Sequence, residues 1–297
     1  QVLTNWHVVD NATEIRCLLF DGRACRAKIV GSDKDVDVAL LQLEQQTKEE
    51  TFPSATLGDS TKLAEGDFVM AMGAPWGLSR SVSIGIVSCT RRYLAEASEY
   101  SLFLQTDASI SPGNSGGPMV DTDGKIVGLN TRGSLQGGDL GFAIPSSTLK
   151  LMMPRLNAHG SGNWAYTGLV LQPLRDFTRD MYFEGNEGVI VAQAEPGSPA
   201  ADAGVQTRDR ILRVNDIPLT ALTDEDLPAV RASLGLLPTD MPSTLVVRRG
   251  STDQTLTLNA RAKGKTKGDQ LDFPRWDFTA ATINQFENAE LYFYRNK

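Results

Sequence analysis

The first half of this 297-residue chain predicts an all-β barrel or sandwich, with a smaller unit of mixed strands and short helices behind it. Three observations lead there. Short apolar or alternating runs follow one another as far as residue 144. Turn pairs such as Asp21-Gly22, Gly58-Asp59 and Asp123-Gly124 separate them. Beyond a Gly/Ser-rich joint at 158–163, strands alternate with helix-start signals.

The opening run Gln1-Val2-Leu3-Thr4 is strand-like and carries no initiator Met, basic stretch or apolar leader. It is expected to be the interior of a longer product whose targeting signal lies elsewhere. Strands are expected at 14–20, 25–30, 37–43, 67–72, 82–89, 101–105, 117–120, 125–130 and 140–144. The stretch 146–156 reads as a helix with a Ser N-cap, interrupted late by Pro154. In the second unit, Ser198 followed by Pro199 marks a helix start, and 224–234 reads as another helix. Lys263 to Gly268 is a charged spacer. Trp164-Ala165-Tyr166-Thr167 is echoed by Trp276-Asp277-Phe278-Thr279, and Met181-Tyr182-Phe183 by Leu291-Tyr292-Phe293. The end of the chain therefore reads as the start of a second copy of the middle unit.

Apolar residues make up 41% and charged residues 22%, the balance of a globular chain that can bury a core. No apolar run approaches the ~18 residues that cross a bilayer. A net charge of −7 argues against a nucleic-acid partner, which calls for a basic face. Cys17 and Cys25 flank the Asp21-Gly22 turn, so a bridge is conceivable, but with Cys89 the odd set of three reads first as small buried hydrophobes.

Residues 111–118 read Ser-Pro-Gly-Asn-Ser-Gly-Gly-Pro. A serine between glycines leaves room for substrate to approach its hydroxyl, and the turn can aim successive N–H groups at one point. Ser115 is the candidate nucleophile, with the backbone of Gly113, Asn114 and Ser115 as candidate oxyanion hole. Serine needs a base, and the chain offers two histidines. His159 lies in the expected joint. His7 closes an apolar run, where a structural role competes with a catalytic one. An acid inside the apolar stretch Asp35-Val36-Asp37-Val38-Ala39-Leu40-Leu41 is costly without a partner, so Asp37 or Asp35 is the candidate orienting group.

The order His7, Asp37, Ser115, with separations of 30 and 78 residues, resembles that of the HtrA (Deg) family of trypsin-like serine proteases. The His motif is Thr-Asn-Trp-His-Val-Val, where the family usually has Asn in place of Trp6. The motifs Asp37-Val38-Ala39-Leu40-Leu41, Gly113-Asn114-Ser115-Gly116-Gly117 and Gly141-Phe142-Ala143-Ile144-Pro145 match. The resemblance selects Asp37 over Asp35. It implies a chymotrypsin-like double β-barrel protease domain over 1–157 whose first strands are absent, a linker at 158–163, and an α+β PDZ domain over 164–263. A linker at 264–275 and the start of a second PDZ-like repeat at 276–297 would follow. It implies no metal or cofactor, an S1 pocket shaped by Ile110, and a small or medium apolar P1. Tyr166, Thr167, Gly168 and Leu169 would hold a peptide C-terminus, whereas Ala280 stands in the place of Gly168 in the repeat. The segment from Thr90 to Tyr100, with Arg91 and Arg92, would sense PDZ occupancy, against the plainer reading of a solvated charged loop. Substrates would be unfolded or damaged proteins, the assembly a trimer-based homo-oligomer, and the compartment a bacterial periplasm or envelope. A catalytically silent scaffold or a chaperone-like peptide binder is the competing class.

Overall fold

The computed structural model describes residues 1–45, 51–75, 81–133, 140–264, 270–273 and 278–281. The first unit opens with β1 (Val2–Thr4), the single helical turn α1 (Trp6–Val9), β2 (Ile15–Leu18), β3 (Ala24–Asp33) and β4 (Val38–Leu43). These strands form an antiparallel sheet in the order β1-β4-β3-β2. Next, β5 (Phe68–Gly73), β6 (Ser81–Arg92), β7 (Phe103–Thr106), β8 (Pro118–Val120), β9 (Ile126–Gly133) and β10 (Gly141–Pro145) close a six-stranded barrel in the order β10-β7-β6-β5-β8-β9. Every strand expected before residue 145 falls on one of these.

The unbroken apolar run of β4 has a structural reason. Ala39, Leu41 and Leu43 face the first sheet's own core with Val9 and Cys25. Val38 and Leu40 face a second core with Phe103, Leu129, Phe142 and Ile144 from the barrel. A strand buried on both faces loses the polar alternation of a half-exposed one. Asp37, immediately before β4, is thereby carried to the seam between the two halves.

Helix α2 (Ser146–His159) corrects two expectations. It passes through Pro154 and absorbs the first residues of the predicted joint, ending at Gly160 in the left-handed region. Leu149, Met152 and Leu156 hold its inner face in the second core, which outweighs one missing backbone hydrogen bond. Its N-cap is Pro145, and the Ser146 hydroxyl instead donates to Gly58 O. His159 sits on the last, exposed helical residue rather than in a loop.

The second unit contains β11 (Ala165–Tyr166), β12 (Leu169–Gln172), the hairpin β13 (Arg175–Asp176) and β14 (Met181–Tyr182), β15 (Val189–Ala194), α3 (Pro199–Asp202), β16 (Arg210–Val214) and β17 (Ile217–Pro218). Helix α4 (Leu227–Gly235), β18 (Ser243–Arg249), β19 (Thr252–Leu258) and β20 (Arg261–Ala262) complete it. The main sheet runs β12-β15-β16-β18-β19, leaving β12 at an edge. As predicted, Ser198 caps α3 by accepting the Ala201 N–H, with Pro199 at the first helical position. Leu171, Val191, Ile211, Val230, Leu245 and Val247 fill one core between sheet and helices. Of the expected second repeat, β22 (Phe278–Ala281) pairs with β21 (Gln270–Phe273). Trp276 and residues 291–293, which carry the echo, lie outside the described residues.

The two units meet at both ends of the second one. The Trp164 ring stacks on Tyr100 at 4.3 Å between centroids, and Lys263 Nζ reaches Asp35 Oδ2 at 2.6 Å.

Candidate active site

His7 sits in α1, not at the end of a strand. The Asn5 side chain donates to Asp37 O at 3.1 Å, and the helical turn presents both the His7 N–H and its ring to one carboxylate. The backbone N–H donates to Asp37 Oδ1 at 3.0 Å, and Nδ1 lies 2.9 Å from each carboxylate oxygen. Asp37 occupies the left-handed region at φ 54°, which aspartate tolerates better than most residues. Its carboxylate is buried and takes a further bond from Thr131 Oγ1 at 2.6 Å. Asp35, the rival acid, is bound to Lys263 instead.

Ser115 joins this group through Thr131. The Ser115 hydroxyl donates to Thr131 O at 2.9 Å, so one residue of β9 touches both the acid and the serine. Asn130, beside it, ties the serine turn down: its backbone exchanges bonds with Gly116 and Gly117, and its amide donates to Met72 O and Pro118 O. Gly113 has φ 102°, and a Cβ there would collide with Ala74 O. No side chain fits that turn. Among the described residues the N–H groups of Gly113 and Ser115 reach no acceptor, whereas that of Asn114 donates to Ser111 O at 2.9 Å. Asn114 thus departs from the expected set of three donors. Ile110 packs against the barrel core, with its side chain over Gly141 and its carbonyl over Gly133.

A second candidate site opens along β12. A cavity of about 310 Å³ runs between β12 and the C-terminal end of α4, lined by Gly168, Leu169, Leu171, Leu234, Arg231 and Tyr100 among others. Gly168 is left-handed, and a Cβ there would strike the Ser198 side chain. The Tyr166 hydroxyl donates to Glu195, and Thr167 O accepts from Ala200 N–H, which fixes the loop before the strand.

Residues 1–129 match the trypsin-like peptidase domain, and residues 190–239 the PDZ domain. The periplasmic serine endoprotease DegP of Escherichia coli is 33% identical over 294 residues, covering 98% of this chain and 58% of that protein. A probable periplasmic DegP-like serine endoprotease of Chlamydia trachomatis is 37% identical over 83% of this chain and 48% of its own length. The chain spans about half the length of the curated relatives it matches. The solved structure of the HtrA-type protease AlgW with tripeptide superposes with a TM-score of 0.78 at 32% identity, over 89% of this chain and 86% of that one. The chain belongs to the HtrA family of serine proteases with a PDZ domain.

Within this HtrA chain, Arg91 and Arg92 end β6 rather than lying in a loop. Arg91 Nη2 reaches Asp226 Oδ1 of the PDZ domain at 3.3 Å, while Arg92 Nε donates to Gln105 within the barrel at 2.8 Å. Two tyrosines of the same Thr90–Tyr100 segment also bridge the domains: the Tyr93 hydroxyl, which accepts from Arg231 of α4 at 2.8 Å, and Tyr100, stacked on Trp164. Sequence reasoning passed over Thr131. Its sequence signal is a polar Asn-Thr pair directly after the apolar run Ile126–Leu129 of β9.

Proposed function

We propose that the chain is a serine endopeptidase working through His7, Asp37 and Ser115. What carries the reading is the His7 Nδ1–Asp37 pair, linked by Thr131 to a serine on a glycine turn. Asp37 accepts a hydrogen bond from Nδ1–H, which holds the proton on Nδ1 and keeps Nε2 as the basic nitrogen. Rotation of the Ser115 hydroxyl off Thr131 O toward Nε2 lets His7 take its proton as the oxygen attacks the scissile carbonyl. The developing oxyanion then meets the N–H groups of Gly113 and Ser115, which reach no acceptor among the described residues. Histidinium returns the proton to the leaving amine, and water repeats the cycle on the acyl-enzyme. Ile110, over Gly141, would limit the P1 side chain to small or medium apolar groups.

A peptide C-terminus would bind at Tyr166, Thr167, Gly168 and Leu169 and extend the sheet at β12. Unfolded or damaged proteins are the proposed substrates. Phe68, Val82 and Ile84 leave an apolar face on the barrel, 61%, 58% and 69% exposed, which supports association with another surface; a trimer-based homo-oligomer rests on the family resemblance. The relatives' periplasmic names support an envelope location. A silent scaffold would share the Ser115–Thr131 bond, and a fluorophosphonate probe separates the two readings. Wild type should be labelled and Ser115→Ala left unlabelled; an unlabelled wild type would favour the scaffold.

A further inference from the structure

Cys17 and Cys25 are direct antiparallel partners across β2 and β3. The hairpin that joins them closes with Leu19 N–H on Arg23 O at 2.8 Å and Gly22 N–H on Leu19 O at 3.0 Å, Gly22 being left-handed at φ 86°. Counting by two from the Leu19–Arg23 pair puts Cys17 and Cys25 at a hydrogen-bonded pair, where Cα atoms lie ~5.5 Å apart. Disulfides span Cα separations of ~4.4–6.8 Å. Partners in an antiparallel pair project to the same face, and both residues belong to the core beneath the first sheet: Cys25 is 3% exposed, and Cys17 packs against the same cluster. Burial, and after it the closeness of Cys25, push the Cys17 thiol above its ordinary value. Both are free thiols in this structure, and Cys89 lies apart on β6.

We propose that Cys17 and Cys25 form a modification site, closing to an intramolecular cross-strand disulfide when the chain meets a disulfide oxidant, whether a small-molecule disulfide or an oxidoreductase. Cys17, the more exposed of the two, attacks one oxidant sulfur as thiolate and expels the other as a thiol. Cys25 then attacks Cys17 Sγ of the mixed disulfide and expels the second thiol. Two protein thiols and one oxidant disulfide become one protein disulfide and two small thiols. The bridge staples the outer edge of the sheet, and its core neighbours are Val9, two residues past His7, and Ala39, two past Asp37. Oxidation therefore rigidifies the packing behind the acid–base pair.

The test uses the folded wild-type chain with excess oxidised glutathione, then alkylation of remaining thiols under denaturing conditions and peptide mass mapping. The expected product is smaller by two hydrogens, carries one alkyl group on Cys89 only, and yields a single linked peptide pair joining Cys17 to Cys25. Alkylation of all three cysteines, a lasting glutathione adduct on Cys17, or a bridge to Cys89 would each overturn the proposal. Thermal unfolding of the oxidised and reduced wild type decides the stapling role: the oxidised form should melt higher. In Cys17→Ala and Cys25→Ala, oxidant should leave the melting temperature unchanged, while Cys89→Ala should respond as wild type does. An equal or lower melting temperature for the bridged chain would remove the staple.

Discussion

The two halves of the active site are built to different degrees. On the first sheet, Asp37 is held by the His7 backbone, the His7 ring and the Thr131 hydroxyl, and its own carbonyl by Asn5. On the barrel, Ser115 has a well-anchored backbone, but its hydroxyl is spent on Thr131 O and not on His7. The His7–Asp37 pair is thus already hydrogen-bonded, and the proposed mechanism asks only that the Ser115 hydroxyl leave Thr131 O. Such rotations are fast, so in this mechanism the resting Ser115–Thr131 bond is no kinetic obstacle.

Breaking the nucleophile should have the largest effect. Ser115→Ala or His7→Ala should lower kcat by about 10⁶, the scale seen when either member of such a triad is removed from subtilisin. Peptide turnover measured beside an unchanged melting curve tests this, and residual activity within a hundredfold of wild type would refute the assignment. Asp37→Asn should cost about 10⁴, as in the trypsin example. Asp35→Asn should cost far less, because its carboxylate serves Lys263.

Thr131 sharpens the comparison because it touches both halves. Thr131→Val keeps the shape and the carbonyl that Ser115 uses, and deletes only the hydroxyl donated to Asp37. A hydrogen bond to a buried charge is worth ~1.5–3 kcal/mol, so kcat/KM should fall roughly 10- to 100-fold. An unchanged kcat/KM would mean that His7 alone orients the acid.

How much of this was visible beforehand depended on whether a feature is local. The strands, the Ser198 cap and the serine turn follow from neighbours in sequence, and all lie close to where the text puts them. His7 was expected at a strand end. The helical turn Trp6–Val9 stands against Asp37, which accepts from the Asn5 side chain and the His7 N–H across 32 and 30 residues, contacts no window of sequence contains. Thr131 meets Asp37 across 94 residues, and Arg91 meets Asp226 across 135. Those contacts exist only once β9 and α4 are in place. The continuation of α2 through Pro154 was hidden for the same reason, since the core that outweighs the lost bond comes from other strands.

The link between domains predicts a mid-sized effect. If PDZ occupancy reaches the serine turn, a hydrophobic C-terminal peptide should stimulate turnover of a small chromogenic substrate roughly 5- to 150-fold. Arg91→Ala, which removes the cross-domain ion pair to Asp226 Oδ1, should change that factor, while Arg92→Ala, whose partner lies inside the barrel, should not. Equal stimulation in all three proteins would remove Arg91 from the coupling.

The smallest effect concerns the turn that leads into the acid. Asp33 is 7% exposed and accepts N–H groups from Gly162, Trp164 and Val36. Burial, and then the neighbouring Asp35, hold its carboxyl above the usual range; the three donors pull it back without cancelling the rise. A folded-state affinity for the proton above the unfolded one means that the neutral form favours folding. That contribution is complete in acid, below the ordinary carboxylate value, and is lost as pH climbs through the raised one. Asp33→Asn has no charge to bury, so its melting temperature relative to wild type should rise steadily from about pH 3 to 7. The absolute value is less informative, because the new amide faces the Val36 N–H and loses one bond at every pH. Each tenfold in proton affinity is only about 1.4 kcal/mol, so the slope, followed by thermal unfolding at several pH values, is the quantity to read. A flat difference across that range would mean that the linker's N–H groups fully offset the burial of Asp33, and that this turn carries no stored electrostatic cost.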